Sequence, residues 1–171
     1  IYGGEGSDTL YGGAGNDLIG GDFDRFGRGT QGAADYIDAG AGNDTVGGHL
    51  GDDTILGGAG DDCLTGGFGD DVIKGGTGND SINGLSDNDL LTGNEGNDTI
   101  DGSLGADTLY GGEGNDLLTG GFGADTFVFS PGEGHDTITD FNMADGDKII
   151  LSASGSPQSE FVMGIFDPNF K

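Results

Sequence analysis

Gly57 to Asn83 reads GGAGDDCLT, GGFGDDVIK, GGTGNDSIN, three nine-residue units in direct succession. Each opens on a glycine pair, adds a third glycine at position four, and places aspartate at position six and an aliphatic residue at position eight. A period this short and this strict predicts a stacked architecture in which each unit repeats one small structural step.

Counted in nines, the register runs outward from this stretch to Gly3 on one side and Val128 on the other, fourteen units in all. Position six is aspartate in thirteen of them: Asp8, Asp17, Asp35, Asp44, Asp53, Asp62, Asp71, Asp80, Asp89, Asp98, Asp107, Asp116 and Asp125. Position eight is leucine or isoleucine in the same thirteen, apart from Val46 and Phe127. The exception is Gly21 to Gly29 (GDFDRFGRG), with Phe26 at position six and Arg28 at position eight. The next unit has Thr30, Gln31 and Ala33 where glycines are expected. We read about 21–33 as a loop bulging from the array. Arg25 and Arg28, beside Phe23 and Phe26, make it either a solvated insertion or a contact point for another domain or a glycan.

Ile1 and Tyr2 fit positions eight and nine of a unit whose start is missing, as expected of a piece of a longer protein. After Val128 the period breaks. Thr126–Phe129, His135–Phe141 and Lys148–Leu151 have strand character, with a turn at Ser130–Gly134. A repeat array needs an atypical end over its last exposed core face. The expected division is therefore an array over 1–128 and a β cap with its tail over 129–171.

Composition narrows the function. The chain has 41 glycines, 31 acidic and 5 basic residues, and a formal net charge of -26. Such a charge would drive a compact chain apart unless cations bound it. It excludes nucleic acid as a partner and disfavours anionic membranes. Cys63 is the single cysteine, so there is no internal disulfide and no thiolate zinc cluster. No apolar run is long enough for a transmembrane helix.

Glycine at positions one, two and four opposes helix and permits a tight turn with positive φ. Positions seven to nine, rich in threonine, aliphatics and tyrosine, suit a very short strand whose alternation sends position eight inward. Each unit is then one turn and one strand, and two units make one coil of eighteen residues. Stacking the coils aligns strands two units apart in parallel and gathers the turns into two columns. Counting alternate units puts Asp17, Asp35, Asp53, Asp71, Asp89, Asp107 and Asp125 in one column. The other holds Asp8, Phe26, Asp44, Asp62, Asp80, Asp98 and Asp116, broken at Phe26. Carboxylates stacked at about 4.8 Å repel unless a cation lies between them. The donors on offer are carboxylate and peptide oxygens, which suit calcium better than the smaller, more strongly hydrated magnesium. One aliphatic side chain per unit, roughly 2 kcal/mol, falls well short of the entropy of ordering nine residues. We therefore expect a chain that is unfolded without metal and folded with it.

The units GGAGDDCLT, GGFGDDVIK and GGEGNDLLT resemble the GGxGxDxUx nonapeptide of the RTX (repeats-in-toxin) family over residues 3–128. GGFGADTFVFSPGEGHDTITDF with DKIIL is similar to the end of such arrays in secreted proteases, lipases and alginate epimerases. The resemblance implies an all-β fold: a right-handed parallel β-roll of about seven coils with a C-terminal β cap. It implies calcium between consecutive turns, held by the thirteen aspartates and by turn carbonyls at positions two and four: Gly40, Gly42, Gly58, Gly60, Gly67, Gly69, Gly76, Gly78, Gly112, Gly114, Gly121 and Gly123. About ten ions would be bound. In the cap, Asp136, Asp140 and Asp147 stand either for another metal site or for plain capping. The resemblance also implies a secreted bacterial protein exported through type I secretion machinery, folding outside the cell and supporting upstream domains. Leu85 and Asp87, in place of two glycines, make the sites around Asp89 the weak point of the pattern.

The acids at position five, such as Asp52, Asp61 and Asp70, are turn formers and not paired catalytic carboxylates, because asparagine replaces them in Asn16, Asn43, Asn79, Asn97 and Asn115. His49 sits on a turn, His135 lies in the cap, and Cys63 faces outward. No nucleophile motif, HExxH or phosphate loop is present. The fragment is read as a calcium-binding structural module and not an enzyme. The alternatives are a polysaccharide-binding roll and the tail of a hydrolase or epimerase whose active site lies upstream.

Overall fold

The computed structural model describes residues 1–22 and 32–152. The loop side chains Phe23, Arg25, Phe26 and Arg28 and the tail from 153 lie outside the described residues. The fold is an all-β parallel roll. Its strands are β1 (Thr9–Ala14), β2 (Leu18–Gly20), β3 (Tyr36–Ala41), β4 (Thr45–Leu50), β5 (Thr54–Ala59), β6 (Cys63–Phe68), β7 (Val72–Thr77), β8 (Ser81–Ser86), β9 (Leu90–Glu95), β10 (Thr99–Leu104), β11 (Thr108–Glu113), β12 (Leu117–Phe122), β13 (Thr126–Phe129), β14 (Thr137–Ile138) and β15 (Lys148–Leu151). Odd-numbered strands form one sheet and even-numbered strands the other, each in order along the stack.

Position eight faces the space between the sheets. From Ile19 to Phe127 these side chains are buried, and only Leu10, in the first coil, reaches 9% exposure. The strands are longer than the expected three residues, because pairing runs on from position seven through position three of the next unit. Ile55, Leu56, Gly58 and Ala59 pair with Ile73, Lys74, Gly76 and Thr77, and position one is skipped. The skip follows from position two: Gly58 has φ of 109°, a left-handed kink that turns the position-one Cα inward.

The stacking register corrects the two columns expected from the sequence. From β3 to β13, paired residues differ by eighteen, as in Thr54 with Val72. The first coil instead pairs Thr9 with Tyr36 and Leu18 with Thr45. Asp8 therefore stacks under Asp35, and Asp17 under Asp44. The extra residues can be located. The Asp22 N–H donates to the Gly48 carbonyl, one level below His49, while Gly32 lies against Leu50 and Gly51. Asp22 and Gly32 thus hold successive positions of one turn, and the Asp22 carboxylate accepts the Ala33 N–H at 3.0 Å. The offset from the first coil to the next is thus nine residues longer than the eighteen found between later coils. The expected break at Phe26 does not exist: one turn is assembled from Gly21, Asp22, Gly32, Ala33, Ala34 and Asp35. An insertion of one period leaves every count in nines unchanged while exchanging the two sides of the coil, so counting could not detect it.

At the other end both sheets continue past the repeats. β14 pairs with β12 and β15 with β13. Ile138, Phe141 and Ile149 pack on the core, and the Phe141 ring lies 6.2 Å from that of Phe127.

Candidate metal centres

The turns form two columns of aspartates. Asp8, Asp35, Asp53, Asp71, Asp89, Asp107 and Asp125 follow one another along the first column, and Asp17, Asp44, Asp62, Asp80, Asp98 and Asp116 along the second. From Asp35 to Asp125 each carboxylate is held in the same way. Its Oδ1 accepts the backbone N–H of the aspartate one coil below, as in Asp53 N–H to Asp71 and Asp62 N–H to Asp80, at 2.8 and 2.9 Å. Its Oδ2 has no partner. All thirteen Oδ2 atoms are buried and make no hydrogen bond. They point into their own turns, where a Cβ at position one, as at Gly66 or Gly75, would collide with Oδ2 of Asp71 or Asp80. Glycine at position one is thus a requirement of the carboxylate.

Leaving a buried carboxylate oxygen unpartnered is costly, and the aspartates respond accordingly. Desolvation by burial pushes Asp53 and Asp89 up to about 8, Asp116 to about 7, and Asp62, Asp71, Asp80 and Asp107 to about 6. Neighbouring carboxylates add to the rise in each case, those of the column except at Asp71, where Asp52, Asp70 and Asp87 do so, and the backbone N–H on Oδ1 opposes it. Asp35, Asp98 and Asp125 are also raised, again chiefly by burial. Without a cation Asp53 and Asp89 favour the protonated form at neutral pH.

Backbone oxygens complete the donor set. The position-three carbonyl accepts the position-four N–H of the coil below, as in Gly60 to Thr77, and the position-six carbonyl accepts a position-seven N–H, as in Cys63 to Asp44. The carbonyls at positions two and four lie against the next coil instead: a Cβ at Gly58 would strike the Gly40 oxygen, and one at Gly60 the Gly42 oxygen. The same holds for Gly58 under Gly76, Gly60 under Gly78 and Gly114 under Gly134. Where glycine is missing the backbone still adopts the left-handed form, at His49, Leu85, Asp87, Asn94 and Ser103. The turn of Asp89 therefore keeps the shape of its neighbours despite Leu85 and Asp87. Among the described residues no three His, Cys, Asp or Glu side chains gather as a metal-binding group. The donors gathered at each turn are carboxylate and peptide oxygens, a hard-oxygen set suited to calcium.

Residues 1–25, 30–64, 48–73, 57–91, 65–100 and 92–127 match the RTX calcium-binding nonapeptide repeat. The chain belongs to that family. It is an RTX calcium-binding β-roll module, a structural unit. No curated relative matches it. Among the described residues no helix is long and apolar enough to cross a membrane.

Two features of this RTX roll were not read from the sequence. Pro131 to Asp136 (PGEGHD) continues the stack as a fourteenth turn: Gly132 and Gly134 have positive φ, Gly114 N–H donates to the Glu133 carbonyl, and Asp136 accepts the Asp116 N–H. The signal was present as xGxGxD, hidden by two extra residues before it. The second is a ladder at position five. Asn43, Asp61, Asn79, Asn97 and Asn115 each donate a backbone N–H to the side-chain oxygen of the residue one coil earlier, and His135 N–H ends the series on Asn115. The other cap acids are engaged with backbone. Asp140 accepts from Gly120 and Gly121, and Asp147 from Asp125 and Asn142.

Proposed function

We propose that calcium occupies the gaps between successive turns of both columns, bound by the repeat aspartates and by the carbonyls at positions two and four, including Gly67, Gly69, Gly112, Gly121 and Gly123. The observation that carries this is the set of thirteen buried, unpartnered Oδ2 atoms. The corrected columns give six gaps between repeat aspartates in the first and five in the second, with Asp147 and Asp136 closing one more each. One divalent ion per orphaned oxygen would balance the formal charge of -26. Asp136 extends the second column and Asp147 the first, while Asp140 serves to cap.

In this reading the ion-free chain is an unfolded polyanion, and millimolar calcium outside the cell folds it. That coupling suits export of a bacterial protein through type I secretion in the unfolded state, with the folded roll then stabilising the parent protein. Far-UV circular dichroism with added calcium tests it: a coil spectrum in chelator should convert cooperatively to a β spectrum. A chain already folded in excess chelator would refute the mechanism, and a calorimetric titration saturating at two or three ions would refute the site assignment.

A further inference from the structure

Position three is free of any role in the core or the columns, yet its side chains differ sharply between the two edges of the roll. Along the second column it is Ala14, Ala41, Ala59, Thr77, Glu95 and Glu113. Along the first column the strand register stacks Leu50, Phe68, Ser86, Leu104 and Phe122 in one file. Phe68, Leu104 and Phe122 are 62%, 52% and 77% exposed. Leu85, next to Ser86 in the chain, is 41% exposed. Its φ of 79° is strained for leucine where the repeat offers glycine, so this side chain is carried at a cost to stability. Four stacked spacings make a ridge about 19 Å long. Exposed apolar side chains scattered singly carry no message, but an aligned ridge does. Beside it, on the same turns, stand the exposed carboxylates of Asp52, Asp70 and Asp87.

We propose that this edge is a docking ridge for a basic amphipathic peptide segment. Its apolar side chains would cover Phe68, Leu85, Leu104 and Phe122, and its lysines or arginines would meet Asp52, Asp70 and Asp87. A helix of about 13 residues matches the length of the ridge, with anchors on one face and cations flanking them. The charge decides the partner: a second copy of this chain would bring carboxylates against carboxylates.

The test uses the full chain in calcium buffer at about 0.15 M salt. The probe is a fluorescein-labelled helical peptide of leucine and lysine with its leucines on one face, compared with a scrambled peptide of equal composition. The face-ordered peptide should bind at least about tenfold tighter than the scrambled one, since pure charge attraction does not distinguish them. Phe68→Ser/Leu104→Ser/Phe122→Ser should abolish that ratio while keeping the calcium-bound spectrum, as Ser86 already occupies this file. Leu85→Gly should raise the calcium-bound melting temperature and yet weaken the ordered peptide, separating docking from folding. Equal affinities for the two peptides, or a preference that survives the triple substitution, would overturn the proposal. So would self-association, or binding to uncharged phosphatidylcholine vesicles, that only the triple variant loses.

Discussion

At Asp71 the two carboxylate oxygens have different fates, one accepting the Asp53 N–H and the other buried without a partner. Asp71→Ala should therefore lower the calcium stoichiometry by two, the gaps shared with Asp53 and Asp89, as read by isothermal titration. Gly66→Ala places a methyl group against Asp71 Oδ2 and should cost about 1–3 kcal/mol in calcium. Ser103→Gly relieves a φ of 72° and should instead stabilise by roughly 1 kcal/mol, the two changes being compared by thermal melts. The raised carboxylates set the pH response of the ion-free chain. A folded-state pKa above the unfolded one gives stability that is fully present below the unfolded value and lost as pH rises through the folded one. The window here runs from about 4 up to the values near 6 to 8 at Asp62, Asp116, Asp53 and Asp89. In chelator, β structure should accordingly gain between pH 8 and pH 5, followed by circular dichroism; a loss of signal over that range would contradict the burial of these groups.

Among the elements, the nine residues 23–31 separate what the period reveals from what it hides. Deleting them joins Asp22 to Gly32, which already stand in sequence within one turn. The shortened chain should fold in calcium with an unchanged ion count. Deleting nine residues elsewhere, such as 66–74, should misplace every later turn by half a coil and raise the calcium needed to fold. Strand content, the buried position eight and the position-six aspartates were legible because each recurs with the period. The pairing of Asp8 with Asp35 was not, because a one-period insertion is invisible to a count in nines. The turn at Ser130–Gly134 was read, but not as a further repeat turn over Pro131–Asp136, for the complementary reason: two extra residues shift it off the count although its spacing is intact. The position-five ladder was reduced to turn propensity, since its purpose lies in the N–H of the next coil and not in its own turn.

For the whole molecule, one file of aliphatic side chains and two ladders of parallel strands must hold 31 acidic residues together. In the proposed reading calcium supplies both the missing neutralisation and the partners of the orphaned oxygens, which would make folding and binding one event. The sequence by itself determined the repeat, the all-β coil, the inward position eight and the oxygen-only donor chemistry, because these follow from local spacing and residue type. Only the tertiary structure decided which turns are neighbours, that from Asp35 to Asp125 one oxygen of each repeat aspartate is engaged while the other is orphaned, and that Phe68, Leu104 and Phe122 stack along one edge. The physical reason is that stacking joins residues eighteen or more positions apart. The proposed site lies between coils, and no single repeat contains it.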